Sequence, residues 1–274
     1  MKRLLPFLLI FSFLLSCTNE DDPVTETFPC KIMKCGKSTF QSGIGTDPID
    51  YYTTEFVYQN DRIIKRLNYN GYAQLATTDS IAYNSMGHVS GIYYHIHQDD
   101  IYGETKTELF SYHPNTDKPY RRETRLFLHP WNELRRSIED IQYDASGRIL
   151  KTIDSKIFAD DLPDFYNITT TDYTYDLSGN LEKFVETVAQ NVETTRTTTY
   201  LFSNFDTGKN PFRTLKVPFA NFRHLMYSLN NRRAYEITEQ YEGMPNPSFH
   251  SITTLGNFDY NEYGYPLIAE YQCH

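Results

Sequence analysis

The chain has 274 residues, 35 acidic against 26 Lys and Arg, giving a formal net charge of −9, and it carries 23 tyrosines and 18 phenylalanines. So acidic a surface repels phosphate, which argues against a nucleic-acid partner. A mean hydropathy of −0.56 argues for a soluble domain, and the length allows one large domain or two small ones.

Residues 1–16 are set apart as a signal peptide. Lys2 and Arg3 precede an apolar run too short to span a bilayer as a helix. The run ends in Leu14-Leu15-Ser16-Cys17, which resembles a bacterial lipobox. That resemblance implies acylation of Cys17 and a membrane contact made through the lipid alone. Residues 17–27 are acidic, rich in threonine and without apolar periodicity, and read as a flexible tether. The acidic stretch resembles the surface-export signal of Bacteroidetes lipoproteins. Residues 28–274 are then one β-rich domain, placed at the outer membrane on its periplasmic face or the cell surface.

Cys30, Cys35 and Cys273 remain in that domain. In an exported protein either Cys30–Cys35 closes a small loop or one of the two reaches Cys273.

From residue 50 onward, segments rich in Thr, Tyr, Ile, Val and Phe alternate with turns. Strands are expected near 52–58, 62–69, 75–83, 88–97, 104–112, 121–128, 135–143, 148–158, 166–175, 180–190 and 193–203. Three more are expected near 232–241, 249–260 and 265–271. Short connections leave no room for parallel crossovers. The fold class is therefore all-β, an antiparallel up-and-down meander of about 14 strands, curled or barrel-like. A lipid-facing barrel is set aside because strands such as "ETTRTTTY" carry no outward apolar band. Residues 204–231 interrupt the alternation, and Phe219, Phe222, Leu225, Met226 and Leu229 predict one short helix near 218–229.

"YDASGRIL" at 143–150 returns as "YDLSGNLE" at 175–182, and more loosely as "YNSMGHVS" at 83–90 and "YNEYGYPL" at 260–267. Each part has a folding role: a tyrosine that packs on the sheet, an Asp or Asn that turns the chain, and a glycine with positive φ. These units resemble the YD repeats of Rhs-type proteins. Together with the lipobox, "KNPF" at 209–212 and "YSLNN" at 227–231, they resemble a family of Bacteroidetes lipoproteins of unknown function with a porin-like β fold. The resemblance covers residues 28–271 and brings no catalytic residue with it.

Candidate chemistry is sparse. His95, His97 and Asp99 fall on one side of a strand, a pattern that could hold a divalent ion. Without a further firm ligand they read as a polar row, and no metal or cofactor is assigned. Asp99-Asp100 and Asp160-Asp161 sit in loops. Neither a nucleophile elbow nor a phosphate loop is present, so no catalytic residue is named and the chain is read as a non-catalytic binding or scaffold module. The alternative is a glycan- or peptide-binding lipoprotein of an outer-membrane nutrient-uptake system. Its site would use aromatic residues at the long-loop end, where Trp131 in "HPWNEL" is a candidate anchor.

Overall fold

The computed structural model describes residues 28–36, 53–97, 104–128, 132–158, 167–190, 193–219 and 223–274. Its fifteen strands are β1 (Cys30–Gly36), β2 (Thr53–Gln59), β3 (Arg62–Tyr69), β4 (Leu75–Tyr83), β5 (Val89–Ile96), β6 (Glu104–Tyr112), β7 (Pro119–Leu128) and β8 (Asn132–Tyr143). They continue with β9 (Ile149–Phe158), β10 (Asn167–Tyr175), β11 (Leu181–Gln190), β12 (Glu193–Ser203), β13 (Ala234–Tyr241), β14 (Phe249–Thr254) and β15 (Ala269–Cys273). All lie in one antiparallel sheet. From β1 to β14 each strand neighbours its successor, and β15 pairs back on β1. The sheet stays open, with β14 and β15 as its two edges.

One strand was not expected. β1 is a seven-residue segment, CKIMKCG, in which lysines interrupt the apolar pattern. It shows that the cysteine question has one answer: Cys30 and Cys273 face each other across the β1–β15 pair and form a disulfide. Cys30 and Cys35 share an extended strand, which holds them about 16 Å apart and beyond bridging distance. Among the described residues Cys35 is the free thiol, buried in the core, and burial pushes its pKa up to about 12.

The insert between β12 and β13 lies along the concave face of the curled sheet. It contains a 3-10 turn, Pro211–Leu215, and a single short helix, α1 (Arg223–Met226). Phe219 packs on Phe56 of β2, with ring centroids 6.0 Å apart. Tyr227 meets Tyr173 of β10, and the His224 ring stacks on Phe202 of β12. The insert therefore bridges strands far apart in the sheet, and the main apolar core lies between it and β1–β6. The described helix is shorter than the expected 218–229, of which residues 220–222 lie outside the described residues. Asn210 ends it by donating from Nδ2 to the carbonyls of Leu225 and Ser228.

The repeated octapeptide is an interlock between neighbouring hairpins. Within "YDASGRIL", Arg148 N donates to Asp144 Oδ1 at 2.8 Å, Asp144 N to Arg148 O, and Gly147 N to Asp144 O. The same three bonds recur at Asn84–His88, Asp176–Asn180 and Asn261–Tyr265. A tyrosine at the end of each even strand from β2 to β10, or one residue before it in β2, reaches across to the start of the preceding strand. Tyr58, Tyr83, Tyr112, Tyr143 and Tyr175 donate their hydroxyls to the carbonyls of Ile32, Ile63, Val89, Pro119 and Ile149. The residue just before that carbonyl is often a cation lying over the tyrosine ring: Lys31 on Tyr58, Arg62 on Tyr83, Lys118 on Tyr143 and Arg148 on Tyr175. Each of the four stacks adds roughly 0.5–1 kcal/mol where exposed.

A fifth turn of this kind sits at the opposite end. Asn70 accepts from Tyr72 N and Gln74 N, but Ala73 occupies the glycine position with φ of 57°. The left-handed region costs alanine about 1–2 kcal/mol, against about 0.5–1 kcal/mol for glycine's extra freedom when unfolded. Ala73→Gly should therefore raise stability by about 0.5–1 kcal/mol in urea denaturation. A loss of stability would show that the turn is not strained.

Two expected strands end differently. β14 stops at Thr254 rather than 260, and β15 begins at Ala269 rather than 265. The octapeptide at 260–267 accounts for both, because its Asn261 turn and the Tyr260–Pro266 bridge take up the intervening chain.

Candidate functional site

Pairing register builds the site. On the concave face Arg122, Glu139, Asp154, Thr169, Val188, Arg196 and Tyr241 stand directly opposite one another from β7 to β13. The next row is Thr152, Thr171, Glu186, Thr198 and Glu239. Toward the octapeptide turns follows an aromatic and apolar row, Tyr173, Phe184, Tyr200 and Ile237. Because side chains alternate faces with period two, one choice of register sends all these groups inward. The interior is thus apolar toward the octapeptide turns and polar toward the other end of the strands.

The polar half holds a cavity of about 550 Å³, with Arg223 and His224 of α1 on its far wall. Phe184 and Tyr200 stack at its edge nearest the octapeptide turns, with centroids 4.1 Å apart, and Tyr241 lines it two rows away, opposite Arg196.

A chain of charges stabilises this half. Glu139 takes a bidentate contact from Arg223, with Nη2–Oε2 at 2.7 Å, and Arg122 Nε lies 3.0 Å from Oε2. Burial alone would raise its carboxyl, but the two guanidiniums overcome this and hold it at about 2. Glu108 is buried too, and Lys106, at 2.8 Å, and Arg122 bring it below the usual range. Burial pushes the His224 imidazole well below its ordinary pKa, helped by nearby Arg232, so the ring is neutral. On β3 and β4, Arg66 pairs with buried Asp79, whose carboxyl burial raises despite the partner.

Of these carboxylates Glu139 is the one that lines the cavity, and it is ion-paired there. A glycosidase acid needs a raised pKa opposite a second carboxyl group, and Glu139 is shifted the other way. What the cavity offers is unmet hydrogen bonding. Asp154 Oδ1, Asn167 Oδ1, Arg196 Nε and His224 Nε2 are buried with no hydrogen-bond partner among the described residues, and all four residues line the cavity. Donors and acceptors are mixed, beside an aromatic platform. Such groups cost stability unless something fills them.

The residues singled out in the sequence lie elsewhere. His95 and His97 are exposed neighbours, their rings 4.6 Å apart edge to face, and His97 Nε2 lies 2.7 Å from Thr78 Oγ1. They alternate with inward-facing Tyr94 and so point away from the cavity. Asp99, Asp100, Asp160, Asp161, Trp131 and Cys17 lie outside the described residues. Among the described residues no three His, Cys, Asp or Glu side chains group as metal ligands. The cavity residues had a signal in "ITTTDYTY" and "ETTRTTTY", where Thr and charged residues share a face with Tyr. Composition alone reads that as strand propensity.

No family model and no curated protein matches this chain. Among solved structures, it is similar to the crystal structure of a porin-like protein from Bacteroides vulgatus, at 12% sequence identity and a TM-score of 0.52. The match covers 86% of this chain and 90% of that one. At such identity the likeness is one of fold: an antiparallel meander of porin-like form.

Proposed function

We propose that this chain is a lipid-anchored protein of the bacterial cell envelope that binds a glycan in its concave polar cavity without transforming it. The observation that carries the binding reading is the set of buried, unmet donors and acceptors around the Phe184–Tyr200 stack. Sugar hydroxyls both donate and accept, and sugar rings stack on aromatic faces. A peptide captured by strand addition needs a free sheet edge, whereas the backbone groups beneath this cavity are already engaged in the ladder.

The leader ending in Cys17 supports export and anchoring, and the Cys30–Cys273 disulfide suits an oxidising compartment. The porin-like neighbour supports an envelope location. Ion-paired, low-pKa carboxylates support a non-catalytic role.

A glycan array probed with the mature chain should give hits that Asp154→Ala and Tyr200→Ala each weaken by about tenfold or more, the loss expected for a charge-assisted hydrogen bond or a stacking face. Asp154→Ala should leave the thermal midpoint within a few degrees. Hits unaffected by both substitutions, or binding to peptides alone, would sink the reading. Protease treatment of intact cells separately tests outward exposure.

A further inference from the structure

A second cavity, of about 900 Å³, lies between the octapeptide turns and the insert. The ion pair of Arg223 with Glu139 lies between it and the first cavity, and Arg223 lines both. Its sheet-side wall is formed by Tyr83, Tyr112, Tyr143 and Tyr175, and its insert-side wall includes Leu215 and Met226. The tyrosine hydroxyls are already bound to backbone carbonyls. The rings therefore present hydrocarbon, and this trough is apolar where the first cavity is polar.

Its rim is cationic in an otherwise acidic protein. Arg62, Lys118 and Lys216 line it, and all three are exposed. Arg62 and Lys118 lie over tyrosine rings, and neither they nor Lys216 forms a salt bridge to a carboxylate among the described residues. Of the acids lining the trough, Asp61 is paired with Lys31, leaving Asp117. Arg148 is paired with Asp144. Arg62 on β3 and Lys118 beside β7 stand four strands apart, about 19 Å along the sheet. They do not converge on one multiply charged head, so each suits a single negative charge.

We infer that this trough is a binding site for a long-chain fatty acid, its acyl chain along the tyrosine row and its carboxylate at the cationic rim. Hydrocarbon walls reward burial of methylenes, the volume falls in the range of small-molecule sites, and a rim cation without a carboxylate partner selects an anionic head. A saccharide fits poorly here, because the tyrosine hydroxyls are engaged. The inference stands apart from the glycan reading, since it uses a different cavity and, apart from the shared wall residue Arg223, different residues.

The test titrates hexadecanoate, its methyl ester and hexanoate into the mature chain carrying Cys17→Ser, which has no acyl group of its own. Hexadecanoate should bind, and the ester and the short acid should each bind about tenfold more weakly or worse. The double variant Arg62→Gln/Lys118→Gln should weaken hexadecanoate by about tenfold. Lys216→Gln, outside the tyrosine stacks, reports on the rim charge even if that double variant unfolds. Met226→Trp, which fills the trough, should abolish hexadecanoate binding while leaving glycan binding in place. Equal binding of acid and ester, binding that survives Met226→Trp, or no binding at all would overturn the inference.

Discussion

Replacing both Cys30 and Cys273 by serine should lower the unfolding free energy by about 4–5 kcal/mol, the largest effect expected of any change away from the cavities. The bridge spans 243 residues of sequence, so it removes a long loop's worth of freedom from the unfolded chain. It also secures an edge. β15 has five residues and pairs with β1 alone, and β1 contributes Ile32 and Cys35 to the main core. Without the bridge β15 should fray first and expose that core edge. Guanidinium denaturation of the wild type and the double serine variant measures the difference, and hydrogen exchange should show lost protection at β1 and β15 before other strands. A shift below about 1 kcal/mol would mean that strand pairing alone holds the two ends together.

Glu139→Ala should cost about 3–5 kcal/mol, because it leaves Arg122 and Arg223 buried without their shared carboxylate. The same carboxylate predicts the acid limb of the stability curve. Its folded pKa, at about 2, lies well below the ordinary glutamate value. A depressed carboxylate pKa contributes stability that is fully present above the unfolded value. That stability is lost as pH falls through the folded value. The wild type should weaken between about pH 5 and pH 2, and Glu139→Gln should flatten that limb while lowering the plateau at neutral pH. Parallel acid limbs in the two proteins would show that Glu139 does not govern acid unfolding.

Much of the sheet was readable because its strands are local hairpins. Turn chemistry at Asp144, Asp176, Asn84 and Asn261 fixes where each strand stops and restarts, and most predicted strands from β2 to β13 fall within a residue or two of their observed limits. β1 was not readable because its lysines and cysteines break the apolar alternation, and its partner β15 lies at the far end of the chain. The break at 70–74 was readable, but Ala73, standing where glycine is expected, hid its likeness to the octapeptide turns. The helix was overextended because Asn210, distant in sequence, supplies the groups that end it.

The octapeptide was legible as a hairpin device, but its tyrosine was not legible as a bond to the neighbouring hairpin. That bond depends on where the preceding strand starts in space. The cavity was the least legible feature. Threonine, glutamate and arginine at alternate positions signal strands. Which face turns inward depends on how the sheet curls around the insert, and no local pattern encodes that. The sequence places a binding site away from the octapeptide turns; of the two cavities the polar one lies on that side and the tyrosine trough lies against the turns, and the stacked aromatic pair of the polar one, Phe184 and Tyr200, stands within the sheet.

The central claim is that the polar half of the concave face is where a glycan binds. A crystal structure of the mature chain with its best array hit tests it most directly. An oligosaccharide is expected with one ring stacked on Tyr200 and hydroxyls of further rings bonded to Asp154 Oδ1, Asn167 Oδ1 and Arg196 Nε, buried groups left unmet among the described residues. Saccharide found on the convex face, or in the tyrosine trough with those atoms still unpaired, would contradict it.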